Sequence, residues 1–279
     1  MRSTEFMGLK PSAPSDAALR AALFGVVFIL IGPRAVLAET TAAPGGTNAF
    51  SPATISSLMR KVNAWQLAHP WKPTDRNWIR ATYYTGVLAA HHATGDESYL
   101  RQALAWAEQN QWQPGTESAG GNVLTCGQTY LELFFLKTNR AFLKPLIAWL
   151  HSGASNTPSG STVWYLEGGR RYADSLYVGP PTLAMLARAT GDPQYLDWMN
   201  VFYQDVQDEL FDRSEGLFYR DARFKESRNR NGKKVFWSRG NGWAFAGLPR
   251  ILQFLPATDS NRARYAKLLQ TMAAAIAIG

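Results

Sequence analysis

The stretch "ATGDESYL" at Ala93–Leu100 returns as "ATGDPQYL" at Ala189–Leu196, with six of eight residues identical and 96 positions between the copies. Each copy joins two segments whose apolar residues recur at helical spacing: "RNWIRATYYTGVLAAHHA" runs into the first and "LRQALAWAEQNQW" leaves it. Gly95 and Gly191 stand where a helix end needs a left-handed residue. Asp96 and Asp192 come next as N-caps for the second helix of each pair, and Pro193 suits a first helical position, where its missing N–H is not needed. Tyr99 and Tyr195 turn an aromatic inward. Weaker versions of the unit occur at Lys137–Leu150 and Pro256–Gln270. A chance recurrence of a common linker is the plain alternative. Matched flanks favour a helical hairpin used several times, which implies a solenoid or a closed helical barrel.

The rest of the chain fits an all-α reading. Helices are expected near 52–68, 78–93, 98–110, 125–137, 140–151, 175–190, 193–210, 241–254 and 260–277. Long irregular segments separate them at 111–123, 152–173 and 213–240. A short hairpin is expected around "NRNGK", pairing "GLFYRD" with "KKVFW". The 279 residues are 46% hydrophobic, with ten Trp, enough for a large core or for sugar-stacking platforms. A lone cysteine, Cys126, forbids an internal disulfide, and the four histidines show no metal-ligand spacing. The adjacent His91 and His92 read as solvated surface. No cofactor is implied.

Residues 1–38 read as a secretory leader. Lys10 and Arg20 precede the apolar run Ala21–Gly32, and "VLA" at Val36–Ala38 offers small residues before a cleavage point. The run is short for a membrane span, although a retained anchor is the alternative. Residues 39–50 form a flexible lead into a domain at 51–279. The protein is therefore expected to be exported, periplasmic or extracellular, and free of the membrane after leader removal. The formal charge of +8 favours an anionic partner. No recognition motif accompanies the charge, which argues against nucleic acid as that partner.

Two irregular segments carry the polar chemistry. "WYLEGGRRYADSLYVGPP", Trp164–Pro181, places Asp174 at a helix start, where it is either a plain N-cap or a functional carboxyl. "LFYRDARFKESRNRNGKKVFWSRGNGWAFAGLPR", Leu217–Arg250, holds eight Lys or Arg and two acids between Arg220 and Arg239. Gly240 and Gly242 flank Asn241 and permit a close backbone approach. Arg239 and Trp243 stand one helical turn apart, an arginine fork beside an indole face. That pairing suits an acidic sugar; a solvated basic loop beside a core tryptophan is the plain alternative.

"YADSLYVGPPTLAMLARATGDPQYLD", "LFYRDARF", "VFWSRGNGWAFAGLPRIL" and the helix start "TCGQTYLELF" (Thr125–Phe134) closely resemble the unsaturated rhamnogalacturonyl and glucuronyl hydrolases of glycoside hydrolase family 105. The resemblance runs from about Trp71 to the C-terminus. It implies an (α/α)6 barrel of helical hairpins. It also implies removal of the 4,5-unsaturated uronic acid from the non-reducing end of lyase-generated oligosaccharides, by hydration of the C4=C5 vinyl ether. Asp174 matches the acid/base, and Arg239 and Trp243 match pocket residues. Arg220 is assigned to a carboxylate, with Trp164 and Trp78 as further sugar-facing aromatics. The implied partner is an anionic unsaturated oligosaccharide.

Three departures accompany the resemblance. The acid usual before "GQTY" is absent, with Asn122 and Val123 in that region. Tyr172 replaces a usual Trp. "KLLQTMAAAIAIG" reaches Gly279 in helical pattern without a cap, so the family barrel is expected to lack its last helices in this chain. Two other readings stay open: a two-carboxylate α/α-barrel glycosidase, for which Glu167 and Asp221 are the candidate second acids, and a non-catalytic truncated carbohydrate-binding module.

Overall fold

The structure, a computed structural model, describes residues 50–70, 75–116, 121–155, 166 and 169–278. The leader at 1–38 and the lead at 39–50, apart from Phe50, lie outside the described residues, as do Trp164 and Glu167. Helix α1 spans Pro52–Ala68, α2 Trp78–Thr94, α3 Glu97–Gln109, α4 Thr125–Lys137 and α5 Lys144–Ser155. A short helix α6, Ser175–Val178, leads into α7, Pro180–Thr190. Then come α8, Gln194–Leu210, α9, Ser238–Phe254, and α10, Arg262–Ile278.

The two quoted corners are built alike. Gly95 and Gly191 take φ of +70° and +78°. The Thr94 and Thr190 hydroxyls donate to the carbonyls of Ala90 and Leu186 at 2.7 and 2.8 Å, and accept from the Asp96 and Asp192 amides at 3.2 Å in both cases. The Asp96 and Asp192 carboxylates then accept from Ser98 N and Gln194 N, both at 2.9 Å. This satisfies amides that a helix start leaves open. Tyr99 and Tyr195 are buried just beyond. At the weaker corner Thr138 takes the left-handed place at φ +55°, and Asn139 accepts from Ala141 N at 3.0 Å.

These corners fold α2 onto α3, α7 onto α8 and α9 onto α10. The leading helices pack side by side, α2 on α4, α4 on α7 and α7 on α9, as an inner row. The helices after the corners lie behind them. One core, centred on Leu131, Leu183, Phe202, Tyr203 and Leu248, fills the later hairpins, and a second, with Tyr84, Leu88, Trp106 and Tyr130, fills the earlier ones. Glu132 on α4 pairs with Arg250 on α9 at 2.5 Å and lies 3.7 Å from His92 on α2, tying three inner helices together. His91 and His92 are therefore half-buried rather than solvated, and His91 Nδ1 lies 3.2 Å from the Asp96 carbonyl oxygen.

Helix α1 is attached differently. None of its residues is buried. Asn63 holds it to the bundle, accepting from Tyr83 Oη at 2.6 Å and donating to Gln102 Oε1 at 2.8 Å. Leu58 and Val62 stay 52% and 60% exposed, so the apolar stripe of this helix is only partly covered.

The hairpin differs from expectation. Strand β1, Phe211–Asp212, pairs antiparallel with β2, Leu217–Phe218. The turn closes because the Asp212 carboxylate accepts from Ser214 N at 3.0 Å and Glu215 N at 3.2 Å, while Gly216 takes φ +68°. "GLFYRD" therefore pairs with the residues before it. Around "NRNGK" there is an isolated bridge, Arg228 to Lys234.

Candidate active site

A shallow cleft is lined by Trp78, Thr82, Asn122, Asp174, Val178 and Trp243. These side chains come from the start of α2, the turn before α4, the turn and short helix before α7, and the start of α9. The cleft thus sits where the inner helices begin. The Gly95 corner lies a full helix away, about 25 Å along α2 at 1.5 Å per residue. Long segments converge at one end and short corners close the other, so the scaffold fixes the site while the loops furnish it.

Trp243 is the centre of an aromatic group. Its ring meets Trp78 edge-on, with centroids 6.5 Å apart at 87°, and lies 4.7 Å from Tyr177. Asp174 is half-buried in backbone of helical φ/ψ, and its carboxylate makes no side-chain cap hydrogen bond to α6. The N-cap alternative for Asp174 is therefore not what the fold uses. Among the described residues lining the cleft, Asp174 is the only carboxylate.

Backbone contacts and a buried amide join the segment carrying Asp174 to its neighbours. Ala173 N donates to Arg220 O at 3.0 Å, joining it to the chain leaving β2. Two residues earlier, buried Asn241 pairs its amide with the Phe218 backbone, accepting from N and donating to O at 2.8 Å each. Asn241 Nδ2 also donates to Trp237 O at 3.2 Å. Helix α9 comes still closer at Gly247, where an added Cβ would stand 2.5 Å from the Leu176 carbonyl oxygen. The "GNGW" stretch is thus a clamp that binds β2 and the Asp174 turn to one helix.

Arg239 and Arg220 do not line the cleft. Arg239 is exposed and lies 4.6 Å above the Trp237 ring, and Arg220 lies 5.6 Å from the same ring and 5.7 Å from Tyr172. They stand beside the cleft, next to Trp243 along α9 and next to Asp174 through Tyr172. Asp221 is fully buried, lies 3.8 Å from Arg220 and does not line the cleft. Both its oxygens accept from Arg223, at 2.8 and 3.0 Å, and those bonds hold its carboxyl below the usual carboxylate range. A carboxylate so engaged does not serve as a second acid. Thr82 and Asn122 are additions to the site residues expected from sequence. Asn122 lies in the region of the absent acid, and only the fold places it on the cleft wall.

The profile of Glycosyl Hydrolase Family 88 matches residues 51–278. The chain belongs to that family. Two curated relatives, from Formosa agariphila and an Alteromonas species, are named unsaturated 3S-rhamnoglycuronyl hydrolase; both are 33% identical, over 80% and 68% of this chain. The family 88 chain spans 63% and 50% of those relatives' lengths. Among solved structures it is similar to one named as a polysaccharide lyase, with TM-score 0.71, 28% identity and coverage of 81% and 67% of the two chains. A family 88 glycosyl hydrolase from Bacteroides vulgatus gives TM-score 0.69 at 28% identity, covering 80% and 68%. A family 105 glycoside hydrolase from C. acetobutylicum gives 0.63 at 21% identity, covering 80% and 65%, and supports the α/α-barrel fold. Among the described residues no cluster of His, Cys, Asp and Glu could hold a metal ion, and no helix is long and apolar enough to cross a membrane.

Proposed function

We propose that this chain carries the site of an unsaturated uronyl hydrolase. It would remove the 4,5-unsaturated uronic acid from the non-reducing end of lyase-generated oligosaccharides. The observation that carries the reading is Asp174: a half-buried carboxylate that caps no helix, in a cleft walled by two indoles and supplied, among the described residues, with no second acid. Hydration of a vinyl ether requires one group that first gives and then takes a proton. A saturated glycoside needs two carboxylates.

In the proposed sequence the Asp174 carboxyl gives its proton to C4, and the C4=C5 pair forms the new C–H bond. The ring oxygen supports the positive charge left at C5. Water bonds to C5 and loses a proton to the Asp174 carboxylate, which restores the acid. The resulting hemiketal opens to a ketone, and the former ring oxygen leaves a hydroxyl on C1. That hemiacetal carbon then expels the remaining oligosaccharide as an alcohol. Trp78 and Trp243 offer ring faces for the sugar. Thr82 and Asn122 offer neutral hydrogen-bonding groups, and Arg220 and Arg239 draw the anionic substrate to the rim. The names of the curated relatives support the same substrate class. The leader reading adds an exported, periplasmic or extracellular setting.

The test is the ultraviolet band of the conjugated uronate. Its disappearance on incubation with lyase products, and its persistence with Asp174→Asn, is the expected outcome. A stable band with the unaltered chain, folded by circular dichroism, would overturn the reading.

A further inference from the structure

Trp78 opens α2 and lines the cleft, and the three residues before it are held by three different helices. The Asp75 carbonyl accepts from Trp106 Nε1, near the end of α3, at 2.9 Å. The Arg76 carbonyl accepts from Cys126 Sγ, in the first turn of α4, at 3.3 Å. The Asn77 carbonyl accepts from Ala81 N, within α2 itself, at 2.9 Å. Three successive carbonyls are thus fixed to three elements.

The Asp75 side chain adds a second set of bonds. Its Oδ1 accepts from Arg80 Nε at 3.1 Å and its Oδ2 from Asn110 Nδ2 at 3.2 Å. Arg80 is buried, with its guanidinium 4.7 Å from the Tyr83 ring and 5.1 Å from the Tyr84 ring. Among the described residues Asp75 is the one carboxylate paired with it, and its Nη1 has no hydrogen-bond partner. A buried guanidinium depends strongly on its countercharge. Asp75 therefore couples the first turn of α2 to the end of α3.

A helix start does not require this much. Asn77 already caps α2, its Oδ1 accepting from Arg80 N at 2.9 Å. The start of α3, at the corner end, relies on the equivalent Asp96 cap. The additional bonds before α2 bear on the residue that follows them, Trp78, whose ring meets Trp243 edge-on. They bear on Thr82 as well, the next cleft residue along α2, because its hydroxyl donates to the Trp78 carbonyl at 2.8 Å.

We propose that Asp75 is a positioning residue for the substrate, acting by fixing Trp78 in the cleft wall. Asp75 does not itself line the cleft. The assignment rests on the hydrolase reading for the identity of the ligand, but the position of the indole is measured without it. Asp75 governs how well the sugar is held, and Asp174 governs how fast it reacts. A displaced wall weakens ground state and transition state alike, which raises KM and leaves kcat in place.

The experiment compares the unaltered chain with two variants. Asp75→Asn keeps the size of the side chain and removes its charge. Trp106→Phe keeps an aromatic ring and removes the N–H that holds the Asp75 carbonyl. Asp96→Asn, at the corner end, controls for loss of stability alone, and melting curves confirm that each variant is folded. With an unsaturated disaccharide, Asp75→Asn and Trp106→Phe should each raise KM by about tenfold, the scale of one lost aromatic contact, and keep kcat. Asp96→Asn should leave KM unchanged. Either variant combined with Trp78→Ala should bind no more weakly than Trp78→Ala alone, because both changes act on the same contact. An unchanged KM in folded Asp75→Asn and Trp106→Phe, a fall in kcat alone, or losses that multiply with Trp78→Ala would overturn the assignment. The indole N–H resonance of Trp78, identified by its loss in Trp78→Phe, gives a reading without substrate. It should move in Asp75→Asn and stay in place in Asp96→Asn. If the unaltered chain turns over no disaccharide, a moved resonance leaves the assignment standing while the hydrolase reading falls. An unmoved resonance overturns the assignment whatever the turnover.

Discussion

The two ends of the inner helices are built on opposite principles. At the corner end, Thr–Gly–Asp closes α2 onto α3 and α7 onto α8 with matching hydrogen bonds, made between neighbours in the chain. At the cleft end, Trp78, Asn122, Asp174 and Trp243 come from four segments with no common motif, and they meet because the helices behind them pack. Corner geometry is local and is satisfied by its own side chains. Cleft geometry is inherited from distant contacts, such as Asn241 on Phe218 and Gly247 on Leu176. A fold of this kind can repeat one end and diversify the other, because the two ends draw on different interactions.

That contrast can be broken most sharply at Asp174. Asp174→Asn should lower turnover by about 10²–10⁴, the usual cost of losing a general acid, with a smaller effect on the melting temperature, since no cap hydrogen bond to α6 is lost. Loss of stability in place of turnover would make Asp174 a structural residue. Asn241→Ala attacks the long-range support. It strands the buried Phe218 amide and carbonyl, at about 1–3 kcal/mol for each group left unpaired. Denaturant unfolding should register that cost, and turnover should fall with it because the Asp174 turn loses its anchor. An active variant with unchanged stability would show that the clamp is dispensable.

The inner row can also be loosened with acid. Burial raises the pKa of Glu132, but Arg250 and His92 outweigh it and hold the carboxylate below its ordinary value. A depressed pKa means that the pair stabilises the fold fully above the ordinary glutamate pKa, about 4.3, and ceases to do so as the pH falls below it. Unfolding measured from pH 7 to pH 3 should show this loss, and Glu132→Gln should flatten the slope. A parallel slope in the variant would exclude the pair as its source. The smallest effect belongs to the corners. Gly95→Ala and Gly191→Ala meet no atom within 4 Å, so each should cost only the left-handed backbone penalty, about 1 kcal/mol. Equal costs at the two sites, with turnover intact, would mark them as one device; a large difference would separate them.

The corners are legible because their chemistry is written in adjacent letters. Glycine permits the turn, aspartate caps the second helix, and a tyrosine at fixed distance faces the core. Helix positions come from the same local rules, although α9 begins at Ser238, ahead of expectation. Its start hides behind two glycines, which weaken a helical pattern, and the reason for Gly240 is a ring lying on it. The β1–β2 turn has its signal in "DRSEG", an aspartate capping its own turn before a glycine, which competes poorly with the more familiar "NG". Asp174, Trp78 and Trp243 can be nominated from motif and residue type. Their meeting cannot be read from the sequence, because it depends on how far α2, α4, α7 and α9 are rotated against each other. The places of Asn122 and Thr82 on the cleft wall escape for the same reason. A small polar residue carries no sequence signal until a neighbour's position is known. Trp164 and Glu167 lie outside the described residues.

The common starting end of the inner helices has a kinetic consequence. Every peptide unit in α2, α4, α7 and α9 points its N–H toward the cleft, so their dipoles add there, each equivalent to about half a positive charge at its start. The returning outer helices oppose this field from farther away and cancel it incompletely. The inner helices thereby add positive potential at one pole, the end where they begin. An anion drifting past is turned toward that pole before it touches a side chain, and encounter quickens as a result. This gain fades with added salt as the screening length shrinks to about 10 Å at 0.1 M. The direction in which the helices run thus governs how often the cleft is found, independently of what happens inside it.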